Sequence, residues 1–349
     1  MNLLQKTVDG IKPVDKSLTQ KASAHLDNLT KPPGSLGRLE EIAVRYCLIK
    51  NTVTPTLGAK SIYTFAGDHG VAEEGVSAFP QEVTPQMVLN MSSGGAAINV
   101  LGRHAHADVH VVDVGVISSF DDAKGLIRKK VRPGTANMTK GPAMSVEEAR
   151  QGIEVGIELA QKAHDGGVSM VGTGDMGIAN TTPSSAIMAA LLPCDVKDIV
   201  GRGTGIDDNA LRNKVDVVKR ALAANSDNLA SPLDTLAAVG GLEIAGIAGL
   251  VLGAALNRMP VVVDGFISSA GALVACRLAD AVKDYLFFSH RSAEAGHRTF
   301  FQMMETEPLL DLNMRLGEGT GAALAMHLIE AGVKIYNEMA TFDSAGVSR

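Results

Sequence analysis

Tryptophan is absent from the 349-residue sequence, which holds only four tyrosines and nine phenylalanines. Proteins that grip single-stranded nucleic acid stack bases on aromatic side chains, so this scarcity argues against such a platform. Excess positive charge is missing as well. A formal net charge of -6 gives no global attraction to nucleic-acid phosphates or to an anionic membrane. The three cysteines, Cys47, Cys194 and Cys276, lie far apart with no Cys-x-x-Cys spacing. That usage supplies neither a disulfide framework nor a zinc site and fits a reducing cytoplasm. Long apolar runs are lacking: residues 176–194 include Asn180, Thr181, Thr182 and Pro183, and residues 244–257 are too few to span a bilayer. Lys6, Asp9, Lys12, Asp15 and Lys16 interrupt the start of the chain, where an export signal would need an apolar stretch. The expectation is a cytoplasmic protein with no membrane or nucleic-acid partner.

What is plentiful is apolar side chain and glycine. Hydrophobic residues make up 46% of the sequence, which excludes disorder and leaves ample chain for a core. The 37 glycines lack the three-residue period of a collagen-like chain, so they serve turns, close packing or ligands. Six short runs, at 61–66, 108–115, 168–172, 197–201, 259–264 and 284–289, are rich in β-branched or aromatic residues. Their spacing suits crossover helices, which predicts an α/β fold: a three-layer, Rossmann-like parallel sheet of about six strands, covered on both faces. Residues 60–292 would form this domain. The flanks, 1–59 and 293–349, offer no strands and would pack together as a small helical domain built from both chain ends. Ser145 with Glu148 reads as a capping box for a helix closed by Gly166 and Gly167. Residues 241–258 are apolar nearly all round and should form a buried helix.

The residues after each strand carry the functional signal. Gly67-Asp68-His69-Gly70, Gly172-Thr173-Gly174-Asp175-Met176-Gly177, Gly201-Arg202-Gly203-Thr204-Gly205, Asp264-Gly265 and Ser289-His290-Arg291-Ser292 all fall where open parallel sheets bind ligands, beyond the carboxyl ends of the strands. Gly172, Gly174 and Gly177 have the spacing of a dinucleotide fingerprint. On that alternative the protein is a nicotinamide-dependent dehydrogenase, although Pro183 would break a helix begun at those glycines. No Walker A loop occurs. Asp264 ends its strand as a single acid, whereas a magnesium-held diphosphate donor would want paired acids, so no metal is expected. Glycine amides, helix N-termini and one lysine can hold a nucleoside monophosphate. Lys214, expected to start an amphipathic helix, is the candidate, and the same pattern suits a solvated lysine. His104, His106 and His110 lack an acid or thiolate to complete a metal set and read as surface residues. Asp68-His69 suits either a site role or the plain task of orienting a loop. Glu318 stands among Gly317, Gly319 and Gly321, which clear space around its carboxylate, with Thr320 expected to cap the following helix. A first-turn glutamate favoured by the helix dipole gives the same pattern.

Several longer blocks occur in order: Lys31-Pro32-Pro33-Gly34-Ser35-Leu36-Gly37-Arg38-Leu39-Glu40, Gly67-Asp68-His69-Gly70-Val71, Gly177-Ile178-Ala179-Asn180-Thr181-Thr182-Pro183, Asn213-Lys214-Val215-Asp216-Val217-Val218, Asp264-Gly265-Phe266 and Met314-Arg315-Leu316-Gly317-Glu318-Gly319. Together, from about residue 20 to 340, they closely resemble the nicotinate-nucleotide:dimethylbenzimidazole phosphoribosyltransferase family. The resemblance implies a parallel α/β domain, a small helical domain made from both ends, and a homodimer. It also implies transfer of phosphoribose from nicotinate mononucleotide to a benzimidazole-type base, without a cofactor or metal, giving α-ribazole 5′-phosphate and nicotinate for cobalamin assembly. Glu318 matches the family's catalytic glutamate, a general base. Asp175, Gly177, Gly203, Lys214, Gly265 and Ser292 match positions around phosphate and ribose; Phe79, Pro80, Met87 and Met176 match positions near the base. Two departures stand out: Asp175 replaces an acid that is often glutamate, and Phe79 and Met87 replace small or amide side chains. The preferred base therefore stays open among dimethylbenzimidazole, a hydroxybenzimidazole, a phenol and adenine.

Overall fold

Every residue of Ala59–Gly67 except the first is buried, which is the mark of a strand covered on both faces of a parallel sheet. The computed structural model, which describes residues 1–120, 123–203 and 205–348, places it at the centre of one six-stranded sheet. Thr204, in the glycine stretch 201–205, lies outside the described residues. The strands are β1 (Ala59–Gly67), β2 (Asp108–Gly115), β3 (Leu126–Arg128), β4 (Val168–Met176), β5 (Val261–Val263) and β6 (Leu286–Phe288). Their order is β3-β2-β1-β4-β5-β6, and all the pairings are parallel. Chain order reverses between β1 and β4, which makes a switch point where a crevice opens at the carboxyl ends.

Two expectations are corrected. The run 197–201 is not a strand: Val196–Ile199 is a single helical turn. Its two apolar residues lie three apart, so one helical face turns Ile199 into the core. The sixth strand is instead Leu126–Arg128, an edge strand of three residues in which only Leu126 is buried, too short for alternation to show. The glycine fingerprint is corrected as well. Gly172 and Gly174 lie inside β4, and the next helix starts only at Thr181, so Pro183 sits harmlessly in its first turn. A Cβ at Gly174 would lie 2.4 Å from the Glu318 carbonyl oxygen. That glycine allows two backbones to touch and forms no phosphate loop.

The helix Val146–Asp165 begins with the expected Ser145–Glu148 capping box and ends at Gly166. It packs on Leu242–Leu256, which is buried almost throughout. The two helices approach at glycines: a Cβ at Gly249 would lie 1.8 Å from the Ile153 carbonyl oxygen. Leu3–Gly10 rests on the same pair. A second, smaller cluster joins Ala22, Leu26, Leu29, Ala43 and Cys47 with Tyr336. It brings the helices Thr19–Asp27 and Arg38–Lys50 against the far end of Thr320–Glu338, and a bridge pairs Leu29 with Thr341. Among the described residues no helix is long and apolar enough to cross a membrane.

Candidate active site

Beyond the carboxyl ends of β1, β4, β5 and β6 lies a cavity of about 530 Å³. Phe79, Asp175, Met176, Gly177, Gly203, Gly265 and Ser292 line it. Phe79 is 52% exposed at its mouth. Pro80 is exposed beside it, and Met87 is half-buried in the helix Val83–Ser92; neither reaches the lining. Lys214 and Glu318 sit in the wall behind residues that do line the cavity.

Glu318 adopts a left-handed backbone, φ +64°, between Gly317 at +86° and Gly319 at +99°. A non-glycine residue rarely holds that conformation unless its surroundings fix it. Here they do. The Glu318 amide donates to the Asp175 carbonyl at 3.1 Å, and the Thr64 hydroxyl donates to the Glu318 carbonyl at 2.7 Å. Asp264, just past β5, accepts from the amides of Gly319 (3.1 Å), Gly321 (2.7 Å) and Ala322 (3.1 Å). Asp264 thus caps the helix Thr320–Glu338 from another strand. Thr320 is not the expected cap: it is the first residue inside the helix, and its hydroxyl donates to the Gly317 carbonyl at 2.9 Å.

The Glu318 Oε2 accepts the Ile98 amide at 3.1 Å, at the N-terminus of the helix Ala97–Ala105. Burial pushes the Glu318 carboxyl above its ordinary value, and the Ile98 amide opposes this without reversing it. Burial also lifts Asp264 to about 7, against the pull of its amides. Asp175 is held well above the usual carboxylate range by burial and by the neighbouring Asp264, although Asn180 Nδ2 donates to it at 3.0 Å. A cluster of buried acids next to a cleft is a feature of functional sites.

Lys214 is not solvated and does not start its helix. It lies in the middle of Asp208–Ala224, which Asp207 caps, and is 0% exposed. Its Nζ donates to Thr181 Oγ1 at 2.6 Å and would sit 3.1 Å from a Cβ at Gly203, where φ is +53°. Burial brings the ammonium down to about 8, with Glu294 acting the other way. A buried lysine beside glycine backbone has the chemistry to hold an anion.

Sequence reasoning missed Asn180, Thr181, His290, Glu294 and Arg315, all of which line the cavity. Arg315 donates to the Gly203 carbonyl at 2.9 Å. Four of these residues occur in motifs already noted, at strand ends or beside Glu318; only Glu294 follows its strand at a greater distance. Ser292 is oriented by His297, whose Nδ1 accepts the Ser292 amide at 2.9 Å; burial pushes that imidazole down to about 3. His69 pairs with Glu243 beneath Gly177. The loop of residues 31–38 does not line the cavity; Lys31 pairs with Glu40 at 2.8 Å, and Arg38 donates to the Pro308 carbonyl. His104 and His106 are exposed, and no set of three or more potential metal ligands comes together among the described residues.

A parallel sheet with a buried lysine and a buried carboxyl around one cavity at its switch point points to a class: an α/β enzyme acting on a small molecule. The family model described as phosphoribosyltransferase matches residues 11–347. The chain is 61% identical to the nicotinate-nucleotide–dimethylbenzimidazole phosphoribosyltransferase of Pelodictyon phaeoclathratiforme over 345 residues, 99% of this chain and 98% of that one. It is equally similar, at 61% over 344 residues and the same coverage, to the protein of that name from Chlorobaculum tepidum. The crystal structure of CobT from Thermus thermophilus superposes with a TM-score of 0.92 at 48% identity, covering 95% of this chain and 99% of that one. The chain belongs to the nicotinate-nucleotide:dimethylbenzimidazole phosphoribosyltransferase family. The dehydrogenase alternative finds no support in these relatives or in β4.

Proposed function

We propose that the protein moves the 5-phosphoribosyl group from nicotinate mononucleotide to 5,6-dimethylbenzimidazole or a related lower-ligand base. The products are α-ribazole 5′-phosphate and nicotinate, for assembly of the cobalamin nucleotide loop. The observation that carries this reading is the Glu318 carboxylate, fixed in its glycine frame beside the cavity that Lys214 and Thr181 edge.

In this reading the donor's phosphate and ribose lie against Gly177, Gly203, Gly265 and Ser292, with the phosphate toward Gly203, where Lys214 and Thr181 stand behind, and the ribose between Asp175 and the Gly265–Ser292 side. The acceptor base enters between Phe79 and Met176, with Pro80 and Met87 supporting that side. The ring nitrogen of the base bonds to the anomeric carbon from the α face as the bond to the nicotinate nitrogen breaks. The electron pair of that bond neutralises the pyridinium, so the leaving group needs no assistance from a metal. The proton on the other ring nitrogen of the benzimidazole passes to Glu318, whose carboxyl is made more basic by burial than an exposed one, as a general base requires. The same reading includes a homodimer in the cytoplasm, with no cofactor. It also divides the chain into an α/β domain, 60–292, and a helical domain from 1–59 and 293–349; the small cluster around Tyr336 supports that division for residues 22–47, whereas Leu3–Gly10 packs on the α/β domain.

The test is direct. Purified protein, nicotinate mononucleotide and a panel of benzimidazoles are incubated without added metal, and the riboside phosphate is sought by mass spectrometry. Absence of product with every base rejects the proposal.

A further inference from the structure

His290 follows β6, is almost wholly buried and lines the cavity. Its neighbours fix the position of its proton. Ser289 Oγ donates its single hydrogen to the Asp264 carbonyl at 2.8 Å. At 3.0 Å from His290 Nδ1 the same oxygen is left only to accept. The ring proton therefore resides on Nδ1, and Nε2 keeps a lone pair. The ring is clamped between glycines. A Cβ at Gly321 would lie 2.0 Å from Nδ1, and one at Gly265 would lie 3.4 Å from Cε1. Asp264 Oδ1 is 4.0 Å from Nδ1, yet burial keeps the imidazole neutral, with its pKa down to about 4. Among the described residues none donates to Nε2.

We infer that His290 Nε2 accepts a hydrogen bond from a ribose hydroxyl of the donor nucleotide. The inference rests on the function proposed above and adds a residue to that site. A lone-pair acceptor repels the phosphate and the nicotinate carboxylate, which are acceptors themselves, and selects a group with a proton to give. The N–H of the incoming base is such a group, but Phe79 and Met176 place it on the side of β1 and β4. His290 stands on the other side, with Gly265 and Ser292 after β5 and β6. There the sugar hydroxyls are the donors within reach. As the glycosidic bond breaks, positive charge grows on the sugar and its hydroxyls become stronger donors, so this bond tightens in the transition state.

The test pairs a protein change with a substrate change. Wild type and His290→Phe are assayed with nicotinate mononucleotide and with its 2′-deoxy and 3′-deoxy analogues. In wild type, loss of the contacted hydroxyl lowers kcat/KM by about tenfold or more, the worth of one hydrogen bond. In His290→Phe the same loss changes it less than about threefold, because the partner is already gone. An undiminished penalty for both hydroxyls in the variant overturns the inference. Should that variant not fold, the nitrogen-15 shift of Nε2 in wild type decides: donor binding moves it to the hydrogen-bonded position, and an unmoved signal overturns the proposal. Wild type without any turnover condemns the function itself; normal turnover with an unchanged hydroxyl penalty condemns only the role of His290.

Discussion

His69 Nε2 lies 2.9 Å from Glu243 Oε1, and solvent reaches neither side chain. Glycines enclose the pair: a Cβ at Gly241 would fall 2.4 Å from His69 Cε1, and one at Gly177 3.1 Å from its Nε2. Burial works against a charge on His69, but Glu243 outweighs it and raises the pKa. A raised folded-state value stabilises the fold fully below the unfolded histidine value, roughly 6.5, and the gain is lost as pH climbs through the folded value. Glu243→Gln should cost about 1–3 kcal/mol, the price of a buried polar group left unpaired. The deficit should be full from pH 5 to about 6.5 and shrink at alkaline pH. Melting temperatures that differ by a constant amount from pH 5 through to alkaline pH rule out the charged pair.

Glu318→Gln keeps the shape and removes the proposed base. Turnover should fall by roughly 10²–10⁴-fold, while donor binding, measured by calorimetry, stays within about twofold. In wild type the acid limb of the rate should fall above the ordinary glutamate value, because burial dominates the Ile98 amide. A variant running near the wild-type rate removes Glu318 from the general-base role.

Among the described residues, Lys214 has only a hydroxyl and a distant carboxylate to offset its burial. Above pH 8 it loses its proton, so the donor KM should rise through that pH. Lys214→Met should raise the donor KM by about tenfold at pH 7 and abolish the rise above pH 8. Its effect on stability has the opposite sign. The folded pKa lies below the unfolded one, so the charged lysine opposes folding; Lys214→Met should melt higher at pH 7, with the advantage fading as pH rises from 8 to 10.5. A KM independent of pH from 7 to 9.5 in wild type contradicts this.

Gly172 and Gly174 lie two apart on one face of β4, but an added methyl meets different partners. At 174 it strikes the Glu318 backbone at 2.4 Å; at 172 the closest atom is the flexible end of Met326, at 2.9 Å. Gly174→Ala should cut kcat by tenfold or more for about 1–3 kcal/mol of stability, whereas Gly172→Ala should retain most of the activity. Equal rates in the two variants refute the idea that Gly174 seats Glu318.

The sheet was legible because its central strands are long and β-branched and its connections are strongly periodic, as between Ser145 and Gly166. Leu126–Arg128 was hidden by its three-residue length, and the run 197–201 imitated a strand because Ile199 and Val200 are adjacent, branched and apolar. At the site, the block around Glu318 identified the carboxylate, but nothing local to it announces Asp264, 54 residues upstream, as the cap for its helix. Lys214 shows the same limit: helical periodicity assigns a face, and only the packing of Thr181 and Gly203 decides that the face is buried. His290 was within reach, since it follows a strand as directly as Asp68 does.

The positive φ of Glu318 sets function against foldability. A side chain in that backbone region costs on the order of 1 kcal/mol or more relative to glycine. On the proposed mechanism, position 318 is one where the residue best for the reaction is not the residue best for the fold. A library varied at that codon and selected only for thermal stability should drift toward glycine, whereas one selected for growth that depends on the cell making the product should return glutamate. The enzyme keeps its carboxylate only while its chemistry is under selection.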